Sequence, residues 1–153
     1  SQIKSIGGMT IVEDCYNANP ASMKAALILL KKLGQDKRTI AVVGDMLELG
    51  KNAKALHEEV GAYISDLTVS YLIACGNLGQ EIARGAKKHG MADSRVFLAK
   101  TTSQGAECLK KIACPGDVVL LKASRNMKLE NVLDGFLLNK NKRRSKTLPL
   151  KAH

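Results

Sequence analysis

Asp14, Tyr16, Asn17 and Asn19 crowd into one short run, Asp14-Cys15-Tyr16-Asn17-Ala18-Asn19, between a β-rich stretch and an apolar-striped helix pattern. A carboxylate, a phenol and two amides at a strand-to-helix handover can hydrogen-bond a polar ligand, and open α/β sheets bind ligands at such points. Asn19 also suits an N-cap and Pro20 the first helical position, so a plain capped turn is the competing reading. Asp45 and Glu48, in the Gly-bounded run Gly44–Gly50, offer two carboxylates to one cationic group. Alternatively they cap or solvate the helix that begins near Asn52. Lys122 and Arg125, in the run Lys122–Asn126, suit a carboxylate or phosphate, Arg125 by a bidentate fork. Surface charge beside the last helix is their alternative role. His57 lies on the flank of an amphipathic helix and reads as structural rather than catalytic. Tyr16 has no aromatic neighbour in sequence, and covering the sheet edge would account for it equally well.

These loops need a frame that puts them on one side. Gln2–Ile6 and Met9–Glu13, joined by Gly7-Gly8, read as a β-hairpin. Further strands are expected over Thr39–Val43, Ser70–Cys75, Arg95–Ala99 and Val118–Leu121; the nearly unbroken apolar run at Thr39–Val43 marks a strand covered on both faces. Helices are expected over Pro20–Leu33 with Gly34 ending it, from about Asn52 to Asp66, over Gln80–His89, from a cap at Thr101, Thr102 or Ser103 to about Ala113, and over Leu129–Leu137. Strands alternating with helices predict an α/β fold: a Rossmann-like, open, mostly parallel sheet of about six strands, with helices on both faces and one antiparallel strand from the hairpin. Every strand-to-helix loop then lies at one sheet edge, so Asp14–Asn19, Gly44–Gly50, Gly76–Gly79 and Lys122–Asn126 are expected to converge.

Composition narrows the chemistry. The 153 residues carry a net charge of +10, but Lys140, Lys142, Arg143, Arg144, Lys146 and Lys151 lie in residues 139–153, which contain no acid. Setting those six aside lowers the charge to +4, so the excess reads as a solvated basic tail. Aromatics make up only 3% of the chain and Trp is absent, which argues against stacking on single-stranded nucleic acid. Cys15, Cys75, Cys108 and Cys114 form neither a Cys-x-x-Cys motif nor a Cys/His pair at metal-ligand spacing, so no metal site is expected, and the thiols read as reduced, in a cytoplasmic chain. No stretch is long and apolar enough for a membrane span, and Ser1-Gln2-Ile3-Lys4 lacks a signal-peptide core. The chain contains no Gly-x-x-x-x-Gly-Lys-Ser/Thr, no Gly-x-Gly-x-x-Gly after the early strand and no Gly-x-Ser-x-Gly. It therefore has no phosphate grip or nucleophile elbow of its own.

Taken together, Glu13–Met23, Val43-Gly44-Asp45-Met46-Leu47-Glu48-Leu49-Gly50, Leu56-His57-Glu58-Glu59-Val60-Gly61 and Pro115–Arg125 resemble the Mur ligase family in order and spacing. The resemblance covers about residues 2–138 and is to the branch that adds D-alanyl-D-alanine to a UDP-N-acetylmuramoyl-tripeptide in peptidoglycan precursor synthesis. It implies that residues 1–138 are the carboxy-terminal domain of a three-domain, ATP-dependent ligase working through an acyl phosphate, with 139–153 a basic tail. It further implies that ATP and Mg2+ are held mainly by a central domain, that other domains hold the UDP-linked tripeptide, and that this chain alone is inactive. By the same resemblance, Asp14, Tyr16, Asn17 and Asn19 face ATP. Asp45, Glu48, Asn77, Lys122, Ser124 and Arg125 would then help to position the dipeptide. One departure stands out: Ala123 occupies a position that is usually Gly, and its methyl would obstruct a positive φ or a close backbone approach. Two other classes of function compete. One is a stand-alone module that binds a nucleotide or small anion without chemistry; the other is a basic nucleic-acid binder driven by the tail.

Overall fold

A computed structural model of the protein describes residues 1–147, with side chains through Leu138. The chain opens with the hairpin β1 (Gln2–Ile6) and β2 (Met9–Asp14), whose turn residues Gly7 and Gly8 take φ of 58° and 79°. Then follow α1 (Pro20–Gly34), β3 (Thr39–Val43), α2 (Ala53–Asp66), β4 (Tyr71–Cys75), α3 (Gly79–Lys88), β5 (Val96–Ala99), α4 (Thr102–Ile112), β6 (Val118–Lys122) and α5 (Glu130–Thr147). Among the described residues six strands lie in the order β1-β2-β6-β3-β4-β5, and only the β1–β2 pair is antiparallel. This is the open, mostly parallel, Rossmann-like sheet expected from the alternation of strands and helices. The division of the chain at residue 138 into domain and basic tail falls outside the residues described in full.

Strand alternation sorts the core into two layers. Val12, Ala41, Val43, Leu72, Ala74, Val118 and Leu120 face α1, α2 and α3, meeting Met23, Leu27, Leu30, Val60, Ile64 and Ile82. Ile11, Ile40, Val42, Ile73, Cys75, Val119 and Leu121 face α4 and α5, meeting Leu109, Val132, Leu133 and Phe136. β3 and β6 are buried along their whole length, as strands covered on both faces must be. Each fully buried Leu or Ile stabilises the fold by about 1.5–3 kcal/mol relative to exposure, so aliphatic residues suffice where aromatics are scarce.

Three local expectations need correction. Gly34 is the last helical residue of α1 rather than the cap that ends it, and Gln35 takes the positive φ of 38°. Gly34 is required because a Cβ there would collide with the Thr39 side chain at the start of β3. β2 and β6 each run one residue further than their apolar stretches suggest, which makes Asp14 and Lys122 strand residues in register with each other.

Cys75 is buried, Cys15 and Cys108 are half-buried and Cys114 is exposed; all four are free. Burial pushes the Cys75 thiol up to about 12, and burial with the nearby Glu130 and Glu13 carboxylates does the same for Cys15. A thiolate is the reactive form, so at pH 8 only Cys114 is expected to be alkylated rapidly by iodoacetamide. Labelling of Cys15 and Cys75 should rise about tenfold per pH unit toward 12 while the fold persists. Peptide mass spectrometry checks this; equal labelling of all four at pH 8 would contradict it.

Candidate functional site

The four polar loops do converge at the carboxyl edge of the parallel strands, and most of their charged groups are spent on one another. Lys122 is 1% exposed, and its Nζ donates to Asp14 Oδ2 at 2.9 Å and to the Asn17 carbonyl at 2.9 Å. Asp45 is 5% exposed; its Oδ2 accepts from the Asn77 N–H at 3.1 Å and its Oδ1 from the Leu78 N–H at 2.8 Å. Those two N–H groups sit where α3 begins, so Asp45 ties the second loop to the third. The Asp45 carbonyl accepts from the Ser124 N–H at 2.9 Å, and Ser124 Oγ accepts from the Leu47 N–H at 2.9 Å. Ser124 thus fastens the second loop to the fourth.

Asp45 and Glu48 do not face one group: Asp45 points inward, while Glu48 is exposed, with a left-handed φ of 62°. His57 is fully buried. Its Nε2 accepts from the Met46 N–H at 2.9 Å and its Nδ1 lies 2.6 Å from the Ala53 carbonyl. The structural role expected for His57 is therefore to hold the second loop onto α2. Ala123 is not among the residues with positive φ, and its buried methyl lies beside Gly44. A Cβ on Gly44 would stand 3.0 Å from the Ala123 Cβ, so glycine at 44 leaves room for the extra methyl.

The outward surface belongs to other side chains. Asn19 caps α1: its Oδ1 accepts from the Ser22 N–H at 2.9 Å, and Ser22 Oγ accepts from the Asn19 N–H at 3.1 Å. Pro20 follows at the first helical position, so the capped-turn reading of this segment holds. Tyr16 and Asn17 are exposed, and the Arg125 guanidinium lies over the Tyr16 ring, 5.1 Å from its centroid. This contact joins the first loop to the fourth and gives Tyr16 a partner from 109 residues away. Two clefts open here. One, of about 430 Å³, is lined by Glu13, Asp14, Cys15, Tyr16, Arg125 and Glu130, among others. The second, of about 270 Å³, lies at the ends of β4 and β5 and is lined by Asn77, Gln80, Leu98 and Lys100, among others. Gln80 and Lys100 were not singled out by sequence reasoning; Lys100 follows the last apolar residue of β5, the position that marked the other loops.

Among the described residues no group of three or more His, Cys, Asp and Glu could hold a metal ion, and no helix is long and apolar enough to cross a membrane. A family model described as "Mur ligase, glutamate ligase domain" matches residues 1–125. UDP-N-acetylmuramoyl-tripeptide–D-alanyl-D-alanine ligase of Bacillus subtilis is 42% identical over 88% of this chain, and that of Haemophilus influenzae is 36% identical over 82%. The crystal structure of MurF ligase from Thermotoga maritima in complex with ADP superposes with a TM-score of 0.75 at 29% identity, covering 92% of this chain. The match takes up 29%, 26% and 31% of those three longer chains, so this chain spans under a third of each. With the family model matching most of its length, the chain belongs to the Mur ligase family.

Proposed function

We propose that this chain is the carboxy-terminal domain of an ATP-dependent ligase that joins D-alanyl-D-alanine to UDP-N-acetylmuramoyl-tripeptide. In this reading it closes over a nucleotide held by a central domain and presents the dipeptide. The 42% identity to a ligase of that name supports the assignment, and the geometry supports the division of labour. The observation that carries it is the inside-out arrangement of the four loops. Lys122, Asp14, Asp45, Ser124 and His57 lock them together from below, leaving Tyr16, Asn17, Glu48 and Arg125 as an exposed rim.

The donor set fits a nucleotide approaching from outside. Exposed amides at Asn17 and Asn19 stand at the N-terminus of α1, where the helix dipole favours anionic oxygens, and Tyr16 offers an aromatic ring. It does not fit Mg2+: Asp14 is held by Lys122 and Asp45 by two backbone N–H groups. We therefore assign Mg2+ to the other domains. ATP supplies the phosphoryl group that converts the tripeptide carboxylate to an acyl phosphate, from which the dipeptide amine displaces phosphate. This chain contributes orientation and exclusion of water: a rim fixed by buried ties loses little entropy when it docks, and closure shields the acyl phosphate from hydrolysis. In this reading Arg125 pairs with the dipeptide carboxylate, and the exposure of its guanidinium supports that role.

A stand-alone binding module is less favoured, because the relatives carry this match as under a third of a longer protein. The test is reconstitution. The parent ligase should make the UDP-linked pentapeptide from ATP, Mg2+, tripeptide and dipeptide, while this chain alone should make none under the same conditions. Turnover by the isolated chain would overturn the requirement for other domains.

A further inference from the structure

We propose that Lys122 is a positioning residue for the nucleotide-facing segment 14–19, acting through Asp14 and the Asn17 carbonyl, and not a contact for the acceptor dipeptide. The inference rests on the function proposed above. It starts from register: β6 pairs in parallel with β2 so that Lys122 stands directly beside Asp14, and on its other side Lys122 is opposite Val43 of β3. Val12 and Leu120 lie in the layer that faces α1, so by alternation Asp14 and Lys122 point to that same face, beneath the start of α1. There the ammonium is 1% exposed and bridges two groups of one segment, each at 2.9 Å.

Apart from Arg125 lying over the Tyr16 ring, that segment has few other holds. Between the end of β2 and the Asn19 cap, residues 15–18 form no regular structure. The Ala18 methyl is buried, and the Cys15 thiol makes a 3.5 Å contact to the Leu121 carbonyl, a weak bond for a thiol. Lys122 therefore ties the beginning of the segment, through the Asp14 carboxylate, to its middle, through the Asn17 carbonyl. With that carbonyl drawn inward, the exposed side chains of Tyr16 and Asn17 are held on the outside of the loop. Reaching a dipeptide would require Lys122 to abandon a buried ion pair and leave Asp14 and the Asn17 carbonyl unsatisfied, a strongly unfavourable exchange. Its neighbours in the loop are differently placed: Ser124 bonds the second loop, and the exposed Arg125 meets the segment from outside, over the Tyr16 ring.

The experiment uses the full parent ligase with Lys122→Met, Asp14→Asn and the double variant. Hydrogen exchange of the unliganded enzyme is followed by mass spectrometry, alongside ADP affinity by calorimetric titration and KM for ATP and for the dipeptide. Lys122→Met should accelerate exchange across residues 15–19 at least tenfold, with residues 46–49 unchanged. It should weaken ADP binding about tenfold while the dipeptide KM stays within twofold. The double variant should be no weaker for ADP than Lys122→Met alone, because the one link that Asp14→Asn weakens is already lost with Lys122. A raised dipeptide KM with unchanged ADP affinity and exchange would overturn the proposal, as would losses that multiply in the double variant. Should Lys122→Met fail to fold, Asp14→Asn must by itself show the nucleotide-specific loss, and its absence would count against the proposal. If the unmodified parent neither binds ADP nor ligates, the proposed function fails, while the exchange measurement still decides whether Lys122 orders the segment.

Discussion

Gly61→Ala is expected to destabilise the 153-residue chain by about 3 kcal/mol and to lower its melting temperature by roughly 10 °C. Helix propensity alone predicts the opposite sign, since Ala is favoured over Gly inside a helix by about 1 kcal/mol. Packing overrides propensity here because α2 and α3 touch backbone to backbone. A Cβ on Gly61 would overlap the Ile82 carbonyl oxygen and stand 2.8 Å from the Ala86 nitrogen. Gly85 makes the reciprocal contact: its Cβ would overlap the Glu58 carbonyl and stand 3.1 Å from the Ala62 nitrogen. Neither obstacle is the far end of a flexible side chain, so the two helices would have to move apart. The Gly85→Ala change should cost a similar amount. The double variant should cost less than the two together, because a separation forced by one methyl also accommodates the other. Denaturant and thermal unfolding measure all three, and alanine variants as stable as the wild type would refute the interlock. A functional consequence follows, because α3 begins directly after the Gly76–Leu78 turn and any displacement of it carries Asn77 along.

What the sequence disclosed and what it concealed follow the range of the forces involved. Alternation of apolar runs with helical stripes is a local pattern, and it sufficed to predict the elements, the parallel sheet and the edge at which the loops gather. The capped turn at Asn19-Pro20 is also local, and its bonds join residues three apart. The partners inside the site are remote: Lys122 and Asp14 are 108 residues apart, and Asp45 reaches backbone groups 32 and 33 residues away. No spacing rule links such positions, because the crossover helices between the strands set the distance. From sequence Lys122 falls in a loop, because a charge after four apolar residues usually marks a strand's exit to solvent. In the structure that exit is roofed by the segment 14–19, and the charge is neutralised under it. The resemblance to the family names loops that converge at one sheet edge, but it does not separate the residues tied to one another from those that face outward.

Asp45 and Glu48 show that separation most sharply, and their exchange for alanine should give opposite results. Asp45→Ala removes a carboxylate that accepts two backbone N–H groups at 2.8 and 3.1 Å. Hydrogen bonds to a charged group contribute about 1.5–3 kcal/mol each, and water can reach the half-exposed turn in compensation, so a net loss of about 2–3 kcal/mol is expected. The cavity would also loosen the turn itself, since Gly76 takes a φ of 91° with its α-carbon facing the carboxylate; a Cβ there would lie 2.7 Å from Asp45 Oδ2. Asp45→Asn should fall between the two, because an amide offers one acceptor where two are needed and sets its NH2 against an N–H. Glu48 is exposed and bonded to none of these groups, so Glu48→Ala should change stability by no more than about 0.5 kcal/mol. In the parent ligase Asp45→Ala should raise the dipeptide KM and lower kcat together, because loops two and three are released and the fourth loses part of its support. Glu48→Ala should leave unfolding untouched, and any effect it has should appear in kinetics alone. Measuring both variants by thermal unfolding and by initial rates separates scaffold from contact. Equal destabilisation by the two would mean that Asp45 does not hold the site edge together.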